Sequence, residues 1–182
     1  MTFDRGVALF RGINVGRAKR IAMADLRSLF LELGLRDPHT VLNSGNVVFG
    51  SPALGSAAVA ALIEQNVLDR LGVASRVTVL DGATVAAIVK DNALAASTPD
   101  HARLLAFTLA GAPEKAKLLP LLEQDWGGDR LHVGKVAAFV DCPGGVLDSK
   151  LAMTVSKLLG EATTSRNWNT FLKLHALCQP AQ

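Results

Sequence analysis

The chain has 182 residues, a formal net charge of +3, 49% apolar residues and 19% charged residues, the last below the roughly 25% usual in globular domains. That balance excludes a disordered chain, and the length suffices for one large or two small hydrophobic cores. No window approaches the roughly 20 apolar residues of a membrane span, and with tyrosine absent and aromatics at 5% the interior must be aliphatic, with few rings to stack bases.

In chain order, residues 7–10 form a short apolar run that reads as a buried strand. A basic loop follows, then residues 23–33, where Leu26, Leu29, Phe30 and Leu33 recur at helical spacing and Gly34 supplies a stop. Residues 39–42 and 46–49 read as strands joined tightly through Ser44-Gly45, hence antiparallel. Ser56 is placed to cap a helix over 57–71, ended by Gly72, and residues 75–80 alternate as a strand. The order β-α-β-β-α-β is that of a ferredoxin-like, split-βαβ unit.

Asp81 is expected to cap a further helix over 83–93, and residues 95–100 read as a linker. A second cycle then begins: a strand over 102–109, a helix opened by Pro113, a hairpin of 130–133 and 136–140, and a helix over 150–159. Its closing strand is replaced by a weaker segment, 162–166, before a last helix from about Asn167 to Cys178. The expected architecture is α+β with two ferredoxin-like halves, the second carrying an extra C-terminal helix. The expected division is 1–80, a helix and linker over 81–100, and 101–182.

Three polar segments are candidates for one site. The first is Arg11-Gly12-Ile13-Asn14-Val15-Gly16 with Arg17, a strand-end loop where anions settle against backbone amides. It is neither G-x-G-x-x-G nor a P-loop, so a nucleotide-binding P-loop is not expected. The second is Asn43-Ser44-Gly45-Asn46, whose amides offer both donor and acceptor. Ser44 lacks the first glycine of G-x-S-x-G and has no histidine placed by sequence to serve as its base. The third runs from Thr163 to Thr170, where hydroxyls and Asn167 can cap a helix and Arg166 offers a fork of donors suited to phosphate or carboxylate.

Charge supports an anionic ligand. Among residues 1–36, Arg5, Arg11, Arg17, Lys19, Arg20, Arg27 and Arg36 outnumber Asp4, Asp25 and Glu32. The carboxylates show no paired spacing for acid/base work, and Cys142 and Cys178 have no zinc-type spacing, so neither a metal nor a cofactor is expected. The two lone cysteines fit a reducing, cytoplasmic setting, and Arg5 and Arg11 interrupt any signal-peptide core.

Residues 9–16, Met23-Ala24-Asp25-Leu26, residues 42–49, and Thr164-Ser165-Arg166-Asn167-Trp168-Asn169-Thr170 with Lys173-Leu174 together resemble the bacterial family catalogued as domain of unknown function 1697. Pro143-Gly144-Gly145 and Ser149-Lys150-Leu151 also follow its pattern. Phe10 stands where leucine is usual, and Ser165 is inserted in a Thr-Thr-Arg-Asn-Trp run. The resemblance implies an α+β fold with ferredoxin-like halves and brings no established activity.

Three functional readings follow. The first is a non-catalytic binder of a phosphate-bearing small molecule or nucleic acid, with Arg11, Gly12, Asn14, Gly16, Arg17, Asn43, Ser44, Asn46, Arg166 and Asn167 as ligand-binding residues. The second is a structural or interaction module whose polar motifs only hold the two halves together. The third is an enzyme on a small anionic substrate, with Ser44 or His39 as its reactive group.

Overall fold

The computed structural model describes residues 4–16, 19–51 and 54–179. The chain divides into two compact units, Met1–Val85 with Lys173–Gln182, and Ala86–Leu172. Each unit holds a four-stranded antiparallel sheet.

The first unit runs β1 (Arg5–Phe10), α1 (Met23–Glu32), β2 (Arg36–Thr40), β3 (Asn46–Gly50), α2 (Ser56–Leu71) and β4 (Val77–Asp81). Its strands lie in the order β2-β3-β1-β4. Ala8 and Phe10 of β1, Val47 and Phe49 of β3, and Val77 and Val79 of β4 form one face of the sheet. They pack with Leu26, Leu29 and Phe30 of α1 and with Val59, Ile63 and Val67 of α2. The period-2 and period-3.6 patterns therefore meet in one aliphatic core with a Phe30–Phe49 edge-to-face contact at 5.5 Å. Val7, Leu9 and Val48, which alternate with that face, are also fully buried.

Two local expectations are corrected. Strand β2 begins and ends earlier than residues 39–42. It is an edge strand containing Pro38, and its register shifts between Arg36 and His39, where Asp37 adopts φ +48°. The helix α2 starts at Ser56 itself, flanked by Gly55 with no side-chain cap.

The second unit repeats the topology: β5 (Leu104–Thr108), α4 (Ala112–Leu118), β6 (Arg130–Val133), β7 (Ala137–Asp141), α5 (Lys150–Leu159) and β8 (Ser165–Asn167), in the order β6-β7-β5-β8. Helices α3 (Gly82–Asp91) and α6 (Trp168–Cys178) each run across the division between units. Asp81 does cap α3, its Oδ1 accepting from the Thr84 amide at 2.7 Å. The weak segment of the sequence runs into a true strand at Ser165–Asn167, which corrects the expected replacement of the second cycle's closing strand. Thr163 and Thr164 extend its attachment: the Thr163 hydroxyl donates to the Thr108 carbonyl at 2.6 Å, and the Thr108 amide donates to the Thr164 carbonyl at 3.1 Å.

Residues 95–100 form a short 3₁₀ turn and a bend anchored by Arg130, which donates to the Ser97 and Thr98 hydroxyls at 2.9 and 3.2 Å. The same guanidinium donates to Asp141 Oδ2 from Nε at 3.0 Å and from Nη2 at 2.6 Å. The Asp141 side chain is only 4% exposed. Arg130→Leu leaves that carboxylate buried without its counter-charge and is expected to cost about 3 kcal/mol. A lower urea midpoint at unchanged m-value would show it.

Candidate functional site

The first two polar segments are built against each other in the first unit. Strand β1 ends at Phe10, whose amide donates to the Gly45 carbonyl at 2.8 Å, bringing the hairpin turn against the start of the Arg11–Gly16 loop. Gly45 has φ +75°, and a Cβ there would fall 2.6 Å from Ile13 Cδ1 and 2.7 Å from Phe10 Cβ. Only a glycine allows this approach.

Asn14 then ties the loops together. Its Nδ2 donates to the carbonyls of Ile21 at 2.9 Å and Asn43 at 2.8 Å, while its Oδ1 accepts from the Ile21 amide at 2.9 Å. Both amide donors are thereby committed. Asn46 is fully buried and donates to the Val41 carbonyl at 2.8 Å and the Ser44 hydroxyl at 3.0 Å. These two asparagines build the loop pair from inside, a role their residue type alone does not distinguish from ligand binding.

Along the Arg11 loop, Gly12, Asn14 and Gly16 have φ of +69°, +56° and +63°, while Ile13 and Val15 do not share that hand. Lys19 returns to φ +51°, and its carbonyl accepts from the Asn14 amide at 3.0 Å. Among the described residues no partner is found for the amides of Gly12, Val15 and Gly16. Arg11 is half-buried, Gly12, Gly16, Lys19 and Arg20 are exposed, and Arg17 lies outside the described residues. Asn43 and Ser44 are exposed at the neighbouring turn. His39 pairs with Asp37 at 3.0 Å on the exposed edge strand.

Arg166 and Asn167 belong to the second unit. Arg166 Nη1 donates to the Thr164 hydroxyl and the Ser165 carbonyl, both at 2.8 Å, and burial lowers its pKa to about 10. Asn167 Oδ1 caps α6 by accepting from the Thr170 amide at 3.0 Å and hydroxyl at 2.7 Å.

The second unit also carries a cleft of about 480 Å³ that sequence reasoning did not assemble, walled by Trp126, Gly144 and Gly145, with Asp125, Asp129 and Asp148 around it. Its signals were the glycine pairs and the α5 start, where Ser149 accepts from the Ala152 amide at 2.9 Å and donates to Asp129 at 2.7 Å. Three carboxylates make it poorly suited to an anion. Among the described residues no cluster of three or more His, Cys, Asp or Glu side chains is arranged to hold a metal.

The family described as protein of unknown function (DUF1697) matches residues 3–139. The chain belongs to that family. The match takes in both loops of the first unit and stops short of Arg166 in this DUF1697 chain. A solved structure of a conserved bacterial protein from Streptococcus pneumoniae is similar to it at TM-score 0.76 and 24% identity, covering 97% of this chain and 99% of that one. That likeness is one of fold. No curated protein matches the sequence.

Two outcomes follow from this geometry. Gly45→Ala meets both Ile13 and Phe10 and takes an unfavourable φ, so it is expected to cost about 2–4 kcal/mol in urea unfolding. Burial also pushes the Cys178 thiol up to about 11 from its ordinary 9.0, against the opposing pull of Arg5. A folded-state value above the unfolded one gives stability that is present below pH 9 and lost as pH rises toward 11. Urea midpoints taken from pH 8 to 11 should fall, and Cys178→Val should remove that part of the fall.

Proposed function

We propose that this DUF1697 protein binds a phosphate-bearing anion on the loop from Arg11 to Arg20 in its first unit. The observation that carries this reading is the alternation of hand at Gly12, Asn14 and Gly16. Alternating conformations turn neighbouring backbone amides into a concave nest that complements an oxyanion. The same loop carries the cationic residues Arg11, Lys19 and Arg20, and clustered positive charge raises the local anion concentration. Asn14, Gly45 and Asn46 enter as supports that hold the nest in shape, with their own polar groups already spent. Asn43 presents its exposed side chain at the adjoining turn.

A purely structural reading draws on one observation, the complete use of the Asn14 donors within the protein. The two readings separate on ligand response. Inorganic phosphate should raise the melting temperature at low ionic strength, and the shift should shrink as salt screens the exposed cations. Arg11→Ala should weaken phosphate binding about tenfold, a loss of about 1.4 kcal/mol, in isothermal titration calorimetry. An absence of any phosphate response at low salt would leave the structural reading standing alone.

A further inference from the structure

The cleft of the second unit has the dimensions of a ligand site. Its volume of about 480 Å³ lies within the roughly 300–1,000 Å³ of small-molecule pockets. Trp126 supplies its aromatic wall. The indole packs against the core of the second unit, and its Nε1 donates to the Leu121 carbonyl at 2.9 Å. With that donor spent inside the protein, the half-buried ring offers the cleft only its π system.

The charge around this ring is unbalanced. Asp125, Asp129 and Asp148 line the cleft against one cation, Lys150, in a chain whose net charge is +3. Asp125 accepts from the Gly127 amide at 2.9 Å and Asp129 from the Ser149 hydroxyl at 2.7 Å, which fixes both within the wall. Asp148 has no hydrogen-bond partner among the described residues, and none of the three carboxylates forms an ion pair there, with Lys150 or with any other cation. Like charges gathered at one opening repel, and a cation held among them relieves that repulsion. The three carboxylates do not converge as a metal cage, so a bare metal ion is a poor match. An aromatic wall beside spread carboxylates suits an organic cation instead.

We propose that this cleft binds an alkylguanidinium, stacked on Trp126 and donating to the surrounding carboxylates. A guanidinium is planar, stacks on aromatic faces, pairs with carboxylates through a fork of donors, and is more weakly hydrated than an ammonium. Asp125 and Asp148 are exposed, so a cation that gives up its water easily has the advantage over a strongly hydrated one. The site shares no residue with the anion loop of the first unit, and the response to phosphate has no bearing on it.

The test is isothermal titration calorimetry with n-butylguanidinium, n-butylammonium and magnesium chloride at matched ionic strength. The wild type should bind n-butylguanidinium about threefold or more tightly than n-butylammonium, and magnesium more weakly still. Trp126→Leu should weaken n-butylguanidinium binding about threefold through loss of the ring contact, and Asp148→Asn about twofold through loss of one exposed charge. Lys150→Ala removes the competing cation and should tighten binding about twofold, a gain that misfolding cannot imitate. A wild type that does not respond to n-butylguanidinium overturns the proposal, as does one that binds n-butylammonium or magnesium equally well. Unchanged affinity in a Trp126→Leu protein that keeps its melting transition also overturns it. Should Trp126→Leu fail to fold, Lys150→Ala decides, and affinity there that is no higher than in the wild type overturns the site.

Discussion

The close approach of Gly45 to Phe10 and Ile13 is the constraint on which the polar end of the first unit depends. A strand end and a hairpin turn meet there with no room for a methyl group. Once they meet, the Phe10 amide reaches the Gly45 carbonyl and the Asn14 side chain reaches across to Asn43. The loop after β1 is then held at both ends and in its middle, instead of being an unrestrained connection between β1 and α1. Preorganisation of this kind lowers the ordering cost that a flexible loop incurs on binding.

The second unit reaches the same strand order with different fastenings. There the edge strand β6 is tied by Arg130 to the buried Asp141 and to the turn before β5, and the short strand β8 is fastened through Thr108, Thr163 and Thr164. One topology thus rests on a glycine contact and an asparagine amide in one unit, and on a charge pair and threonine hydroxyls in the other. Aliphatic cores permit this, since they fix which face is buried and leave polar ends open to separate solutions.

Much of the fold is legible in the sequence because local signals agree with tertiary ones. Helix α5 begins and ends where its cap at Ser149 and its apolar spacing place it. The strands β1, β3 and β7 carry apolar runs, over residues 7–10, 47–49 and 137–140, and sit at the centres of their sheets. The signals fail where tertiary pairing overrides a weak local pattern. Strand β8 has three residues and no apolar run, so only its pairing with β5 makes it a strand. The edge strand β2 carries Pro38 and a register shift, and its residues give little alternation. At the candidate site the glycines and asparagines marked two loops that the fold brings against each other. Which amide donors were already spent was not legible, because that depends on carbonyls seven to twenty-nine residues away.

The lock made by Asn14 has a consequence for how the protein can change. All three of its contacts are to main-chain atoms of Ile21 and Asn43, and main-chain atoms are the same whatever side chain is attached. Position 43 is therefore free to take other side chains without loosening the loop, whereas positions 14 and 45 are not. Framework and surface are written in different atoms at this end of the sheet. A lineage can change the surface of the turn through the outward side chain at 43 while inheriting the framework unaltered.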